Sequence, residues 1–221
     1  PYTESQDNFV VTVYNPLSRP VIKYVRLPVL GEAYSVSDPK GNDIEVQLIP
    51  IADPILKIPG RESKATVELI FVAEEIPPLG FKSYSVTKQD GNMISKPEDI
   101  TEITSGDGVV GFGLDPQTGL LNRVIMNEQA IPISQEFLFY EGNVGNNEVP
   151  TNRSSGAYIF RPIPGKNATA VADKVDFSVY RGNILSEVHQ VFDDWVSQII
   201  RIYNKEKLIE FDWLVGPIPD K

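Results

Sequence analysis

The chain has 221 residues, 41% hydrophobic and 10% aromatic, which is enough apolar material for a normal core and excludes a disordered chain. Thirty acidic residues against twenty basic ones leave a formal charge of −10, which argues against nucleic acid as a partner, because phosphate contacts need clustered Lys and Arg. There is no cysteine, so disulfides, zinc–thiolate sites and thiol catalysis are excluded within this chain.

No apolar run approaches the ~18 residues of a spanning helix, and membrane insertion is not expected. The 16 glycines and 18 prolines are scattered, which suits many short strands and turns better than long helices. The ends, Pro1 and Asp220-Lys221, read as cuts inside a longer polypeptide.

Residues 8–88 predict strands in series. Phe9, Val11 and Val13 alternate with Val10, Thr12 and Tyr14, and further strands are expected at 22–27 and 33–37. Asp38-Pro39-Lys40-Gly41 has the residue order of a type I turn. Ile44, Val46 and Leu48 then alternate with Asp43, Glu45 and Gln47 as one half-buried strand, and strands at 66–73 and 81–87 flank a Pro77-Pro78 break. About six short strands in so few residues predict a small antiparallel β-sandwich over 1–88. Residues 89–99 have no apolar period and carry turn formers, so they read as a linker.

The remainder, 100–221, is also all strand. Strands are expected at 109–114, 120–126 and 131–140, followed by a Gly- and Asn-rich loop over 141–150. Residues 152–162, Asn-Arg-Ser-Ser-Gly-Ala-Tyr-Ile-Phe-Arg-Pro, read as a loop that tightens through Gly156 and Ala157. It then becomes a short aromatic strand, with Tyr158 at the junction. After Pro162 a meander is predicted, with long strands at 184–192, 195–203 and 207–215. These carry apolar residues on both faces, so a large sheet packed on both sides is expected, completed by another chain or later residues. The fold class is therefore all-β: a small antiparallel β-sandwich followed by the first part of a large β-sandwich.

Candidate chemistry is sparse. His189 is the only histidine, which rules out multi-histidine metal sites here, and it reads as a strand residue paired with a neighbour. Asp193-Asp194 reads as a solvated turn. Glu210 and Asp212 share one strand face, a spacing that could hold a cation but is simpler as a polar outer face. The glycines at 106, 108, 111 and 113 read as turn and bulge glycines, since no helix follows to cradle a phosphate. Asn152-Arg153-Ser154 and Asn167-Ala168-Thr169 are N-glycosylation acceptors in loops.

Ser155-Gly156-Ala157-Tyr158-Ile159-Phe160-Arg161-Pro162 resembles a signature of lysosomal-type α-mannosidases of glycoside hydrolase family 38. Further matching segments are Val13-Tyr14-Asn15-Pro16-Leu17, Pro78-Leu79-Gly80-Phe81 and Asp115-Pro116-Gln117-Thr118-Gly119-Leu120-Leu121. Glu187-Val188-His189-Gln190 and Val215-Gly216-Pro217-Ile218-Pro219 follow in the same order. The resemblance covers essentially the whole chain. It implies a non-catalytic β-domain portion of a retaining, zinc-dependent enzyme that removes terminal α-mannose from N-glycans. The nucleophile, the acid/base carboxylate and the zinc ligands would then lie outside this chain, which itself holds no catalytic or metal-binding residue. It further implies companion chains of the same processed enzyme, a homo-oligomer, and a lysosomal or secreted location. By the same resemblance Tyr158 contacts the substrate sugar. The rival expectation is a carbohydrate- or protein-binding β-sandwich module with no enzymatic role.

Overall fold

A computed structural model describes residues 2–219, so Pro1, Asp220 and Lys221, read above as cut ends, lie outside the described residues. The fold is all-β, with 48% strand and 4% helix. Seven strands build the first unit: β1 (Asn8–Asn15), β2 (Val21–Val29), β3 (Tyr34–Ser37), β4 (Asp43–Ile44), β5 (Val46–Pro50), β6 (Val67–Ile76) and β7 (Gly80–Lys88). They form two antiparallel sheets, ordered β1-β7-β3-β4 and β2-β6-β5. Phe9, Val36, Tyr84 and Val86 from one sheet pack against Val29, Leu48, Leu69 and Phe71 from the other.

The sequence pattern runs Asp43 to Leu48 as one strand, and the structure divides it. Residues 43–44 pair with β3 and residues 46–50 pair with β6, so Glu45 is where the chain passes from one sheet to the other. The expected type I turn forms: Gly41 N–H donates to the Asp38 carbonyl at 3.0 Å, with Gly41 at φ +85°. A single helical turn, α1 (Asp53–Leu56), carries Pro54 as its second residue and is too short to show a period in the sequence.

Residues 89–99 run along the edge of this unit without a long strand of their own. Met93 N–H donates to the Glu32 carbonyl and Ser95 N–H to that of Leu48, both at 2.8 Å, while Ile94 packs against the first core. Glu98 N–H then reaches the Val179 carbonyl at 2.8 Å.

In the second unit β8 (Glu102–Thr104), β9 (Val110–Leu114), β10 (Leu121–Met126) and β11 (Gln129–Pro132) make one sheet, ordered β11-β10-β9-β8. The strand expected over 131–140 is broken. Pro132 ends β11, an exposed edge strand, and pairing resumes only as the two-residue β12 (Leu138–Phe139), bonded to β13 (Thr169–Ala170). The meander forms as predicted: β14 (Asp176–Tyr180), β15 (Leu185–Asp193), β16 (Val196–Tyr203) and β17 (Ile209–Val215), in that spatial order.

The meander sheet is covered on both faces. Val179, Val188, Ile200 and Ile202 pack against Ile103, Phe112 and Leu114 of the β8–β11 sheet. On the opposite face Leu185 and Tyr203 meet Ile49 and Ile70 of the first unit, and the Tyr24 and Tyr203 rings lie 4.5 Å apart. Apolar residues on both sides of β15 and β16 are therefore what the sequence should show.

Several of the segments quoted for the family resemblance meet in space and hold backbone. The buried Asn15 donates to the carbonyls of Arg19 at 2.8 Å and Pro77 at 3.0 Å, and Leu79 N–H donates to the Leu17 carbonyl at 3.0 Å. Segments 13–17 and 78–81 are thus one clamp. The Asp115 carboxylate accepts from Gln117 and Thr118 N–H at 2.9 and 2.8 Å, and Gln190 donates to the Gly119 carbonyl at 2.6 Å. That joins segment 115–121 to 187–190.

Candidate functional site

The residues between β11 and β14 leave the body of the molecule as a long excursion. Its base is the β12–β13 pair, with Leu138 opposite Ala170 and Phe139 opposite Thr169. Further out the two limbs stay bonded: Ile163 N–H donates to the Glu141 carbonyl at 2.9 Å, and Asn143 N–H to the Arg161 carbonyl at 2.8 Å. A third limb folds in, where Ser155 N–H donates to the Asn143 carbonyl at 2.8 Å and Ser154 N–H to the Asn147 side chain at 3.0 Å.

The tip is a tight turn, not the strand expected from the sequence. Gly156 N–H donates to the Ile159 carbonyl at 3.0 Å and Ile159 N–H to the Gly156 carbonyl at 3.2 Å. Closing those bonds within four residues leaves no room for a strand, and it places Ala157 and Tyr158 at the apex. Tyr158 is fully exposed at 101% of its reference area, so its phenol packs against nothing else among the described residues. Phe160 is also exposed and packs edge-on against Tyr140 at 5.4 Å, which stiffens the stem below the tip.

The loop expected to tighten through Gly156 has no neighbour against that glycine, since the space a Cβ would take there is open. The close approach is at Gly145, which has φ +40° and would place a Cβ 2.5 Å from the backbone of Arg153 and Ser154. Gly145→Ala is therefore expected to unseat the 144–155 limb while leaving the two cores intact. Limited proteolysis should show faster cleavage within 144–162 at an almost unchanged melting temperature, and unchanged cleavage would refute the assignment.

The two glycosylation acceptors, Asn152 and Asn167, both lie exposed on this excursion, Asn152 at the end of a short 3-10 turn and Asn167 just after the Pro164-Gly165 turn.

Elsewhere the buried charged residues are engaged with one another. His189 Nε2 lies 2.9 Å from Glu187 Oε2, the pairing expected for the lone histidine. Glu187, only 2% exposed, also bonds the Arg201 guanidinium and lies 3.3 Å from that of Arg26, which pairs with Glu68 as well. Burial pushes the Glu187 carboxyl up. The His189 hydrogen bond and the Arg201 and Arg26 charges outweigh that and hold it at about 2.

Glu210 and Asp212 do bind a cation, but it is Arg201, whose Nη1 donates to them at 2.8 and 3.0 Å. They share the Arg201 face of β17, because Arg201 is the register partner of Glu210, and both side chains stay substantially exposed there, opposite Ile209 and Phe211 as the sequence pattern expects. Asp193-Asp194 is an exposed turn, with Trp195 donating to Asp193 at 3.2 Å. In β9, a Cβ at Gly113 would fall 2.3 Å from the Arg123 guanidinium, so that glycine marks side-chain packing. Among the described residues no three His, Cys, Asp or Glu side chains converge as a metal site, so they do not fit zinc.

Comparison with known proteins places this scaffold. The profile of the Glycosyl hydrolases family 38 C-terminal domain matches residues 106–218, just over half of the chain, and that of the Lysosomal alpha-mannosidase-like central domain matches 44–86. The chain belongs to glycosyl hydrolase family 38. Similar proteins include mouse lysosomal alpha-mannosidase, 36% identical over 99% of this chain, and the human protein of that name, 35% identical over the same share. The alpha-mannosidase of Canavalia ensiformis is 30% identical over 99% of it. The chain spans only 22% of the mouse and human proteins and 24% of the Canavalia one. A family 38 protein from Enterococcus faecalis superposes with a TM-score of 0.50 at 11% identity, covering 93% of this chain and 30% of that one, which supports the fold.

Proposed function

We propose that this family 38 chain is the non-catalytic β-portion of a retaining, zinc-dependent α-mannosidase that removes terminal α-mannose from N-glycans, and that Tyr158 is its contact with the substrate. The observation that carries the reading is Tyr158 itself. A large amphipathic side chain stands fully exposed at the apex of an excursion built with cross-limb hydrogen bonds. Holding a tyrosine out in this way has no use for the packing of the chain that carries it. It suits a side chain completing a site formed mainly by other residues.

In this reading the phenol donates to or accepts from a sugar hydroxyl and fixes the ring's orientation. Retaining hydrolysis needs two carboxylates roughly 5–5.5 Å apart; these, and the zinc that binds sugar hydroxyls, are supplied from outside this chain. The partners are then companion chains of the same processed enzyme, assembled as a homo-oligomer. The location is lysosomal, as the names of the mammalian relatives suggest, or secreted. Asn152 and Asn167, exposed on the same excursion, carry glycans in this reading.

The test is Tyr158→Phe in the full-length enzyme. Loss of one positioning hydrogen bond, about 0.5–1.5 kcal/mol, lowers kcat/KM by roughly two- to tenfold. The melting temperature should not move, because the hydroxyl has no partner among the described residues. An unaltered kcat/KM would sink the assignment.

A further inference from the structure

The chain contains two Asp-Gly pairs, Asp90-Gly91 and Asp107-Gly108, and no Asn-Gly pair. Asp-Gly is prone to internal cyclisation, because glycine puts no side chain in the way when its amide nitrogen turns back on the preceding carboxyl. Attack requires a free N–H on the glycine and a free carboxyl on the aspartate. The two pairs differ in both respects.

At Asp107-Gly108 both groups are spent. The Gly108 N–H donates to the Ser105 carbonyl at 2.9 Å, and Asp107 Oδ1 accepts from the Ser105 hydroxyl at 2.7 Å and from Val109 N–H at 3.1 Å. Those two bonds, the Ser105 one first, hold the Asp107 carboxyl below its ordinary value and away from the acid form that cyclisation consumes. Ser105 is itself buried and accepts from Val110 N–H at 3.2 Å, which ties the arrangement to β9. At Asp90-Gly91 neither group is engaged. Both residues are exposed, and the Gly91 N–H and the Asp90 carboxylate have no hydrogen-bond or ion-pair partner among the described residues. Gly91 sits at φ +110° and the space its Cβ would take is open, so the bend can turn without displacing a neighbour. The chain is anchored on either side of the pair, where Gln89 N–H donates to the Ala33 carbonyl at 2.9 Å and Met93 N–H to that of Glu32 at 2.8 Å.

We propose that Asp90-Gly91 is a site of spontaneous isoaspartate formation, with water as its only reagent, and that the fold protects Asp107-Gly108 from the same reaction. The Gly91 nitrogen bonds to the Asp90 side-chain carbonyl carbon. The carboxyl hydroxyl leaves with the amide proton as water, and a five-membered succinimide results. A second water then opens the ring at either carbonyl. Opening at the side-chain carbonyl returns aspartate. Opening at the main-chain carbonyl leaves the backbone running through the former side chain, longer by a carbon, at unchanged mass. That carbon enters between the Gln89 and Met93 anchors, in the segment that joins the two units.

The test incubates the full chain in mildly acidic buffer made with oxygen-18 water, followed by digestion in ordinary water and peptide mapping. Each ring opening leaves one heavy oxygen in the peptide, and isoaspartate separates from aspartate by retention. In the folded chain Asp90 is expected to react faster than Asp107 by about tenfold or more, the factor set by breaking one or two hydrogen bonds before attack. In urea, where both pairs are released, the two rates should converge. Asp90→Glu, whose ring would be six-membered and closes far more slowly, should abolish the modification there and leave Asp107 unchanged. The proposal is overturned if Asp90 forms no isoaspartate, if Asp107 keeps pace with it in the folded chain, or if the gap between them persists in urea.

Discussion

Arg201→Met is expected to lower folding stability by about 3–5 kcal/mol. Arg201 is 2% exposed and is the hub of a buried cluster, bonding Glu187, Glu210 and Asp212 at once. Methionine keeps much of the volume and removes the charge. What remains is a carboxylate that cannot reach water, facing His189 and an Arg26 that Glu68 also claims. The cost comes from that stranded acid more than from the lost pair, because an ion pair replaced as a whole by apolar groups is often nearly neutral. Glu187→Met combined with Arg201→Met should therefore cost less than the sum of the two single changes, by more than about 1 kcal/mol. Urea unfolding of the four proteins measures this. A single-variant loss below 1 kcal/mol, or simple additivity, would show that the cluster does not hold the fold in this way.

The same cluster gives a pH signature. The Glu187 carboxyl is held at about 2 against an ordinary 4.5, so its folded-state value is depressed. A depressed acid stabilises the fold above its unfolded value, and the contribution is lost as pH falls through the folded one. The drop corresponds to on the order of 3 kcal/mol, present above pH 4.5 and lost toward pH 2. Acid unfolding of the parent and of Glu187→Gln should converge across that window and stay parallel above it.

Much of the fold was legible because alternation is a local signal. β9, β10 and the long meander strands β15, β16 and β17 lie within a residue or two of where period-two patterning put them. The splits at Glu45 and after Pro132 were not, because a strand that changes sheets keeps its alternation while its partners change. The charged cluster was invisible for a related reason. Arg26, Glu68, Glu187, Arg201 and Asp212 come from five strands, and a polar residue on a strand reads as solvent-facing unless its counter-charge is known. Gln190 and Gln198 are a neutral counterpart: both are buried, and Gln198 donates to Gln190 at 2.8 Å while accepting from the Trp213 indole at 2.7 Å. Tyr158 stood out in the sequence, and its exposure follows from a four-residue turn that its apolar neighbours Ile159 and Phe160 disguised as a strand.

The second large effect is expected at the seam between the two units, from Gln47 and Gly182. The buried Gln47 carbonyl oxygen accepts from Ile184 and Leu185 N–H, both at 3.1 Å, and its amide donates back to the Leu185 carbonyl at 3.0 Å. One side chain of β5 thus satisfies three backbone groups at the start of β15, groups that have no access to water. Gln47→Leu leaves all three unpaired and should cost about 3 kcal/mol or more, since each buried unpaired group costs about 1–3 kcal/mol.

Gly182 is the geometric complement. A Cβ there would fall 2.2 Å from the end of the Gln47 side chain, and the Gly182 backbone does not require glycine, because its φ is not positive. Gly182→Ala therefore acts first through Gln47, which supplies the three atoms nearest to the new methyl. Truncating Gln47 to alanine opens the space the new methyl needs. The double variant Gln47→Ala with Gly182→Ala should accordingly be no less stable than Gln47→Ala alone, whereas Gly182→Ala in the parent is clearly destabilising. Equilibrium unfolding of the three variants tests the sign of that coupling. Costs that simply add, within about 0.3–0.5 kcal/mol, would mean that the seam is held elsewhere.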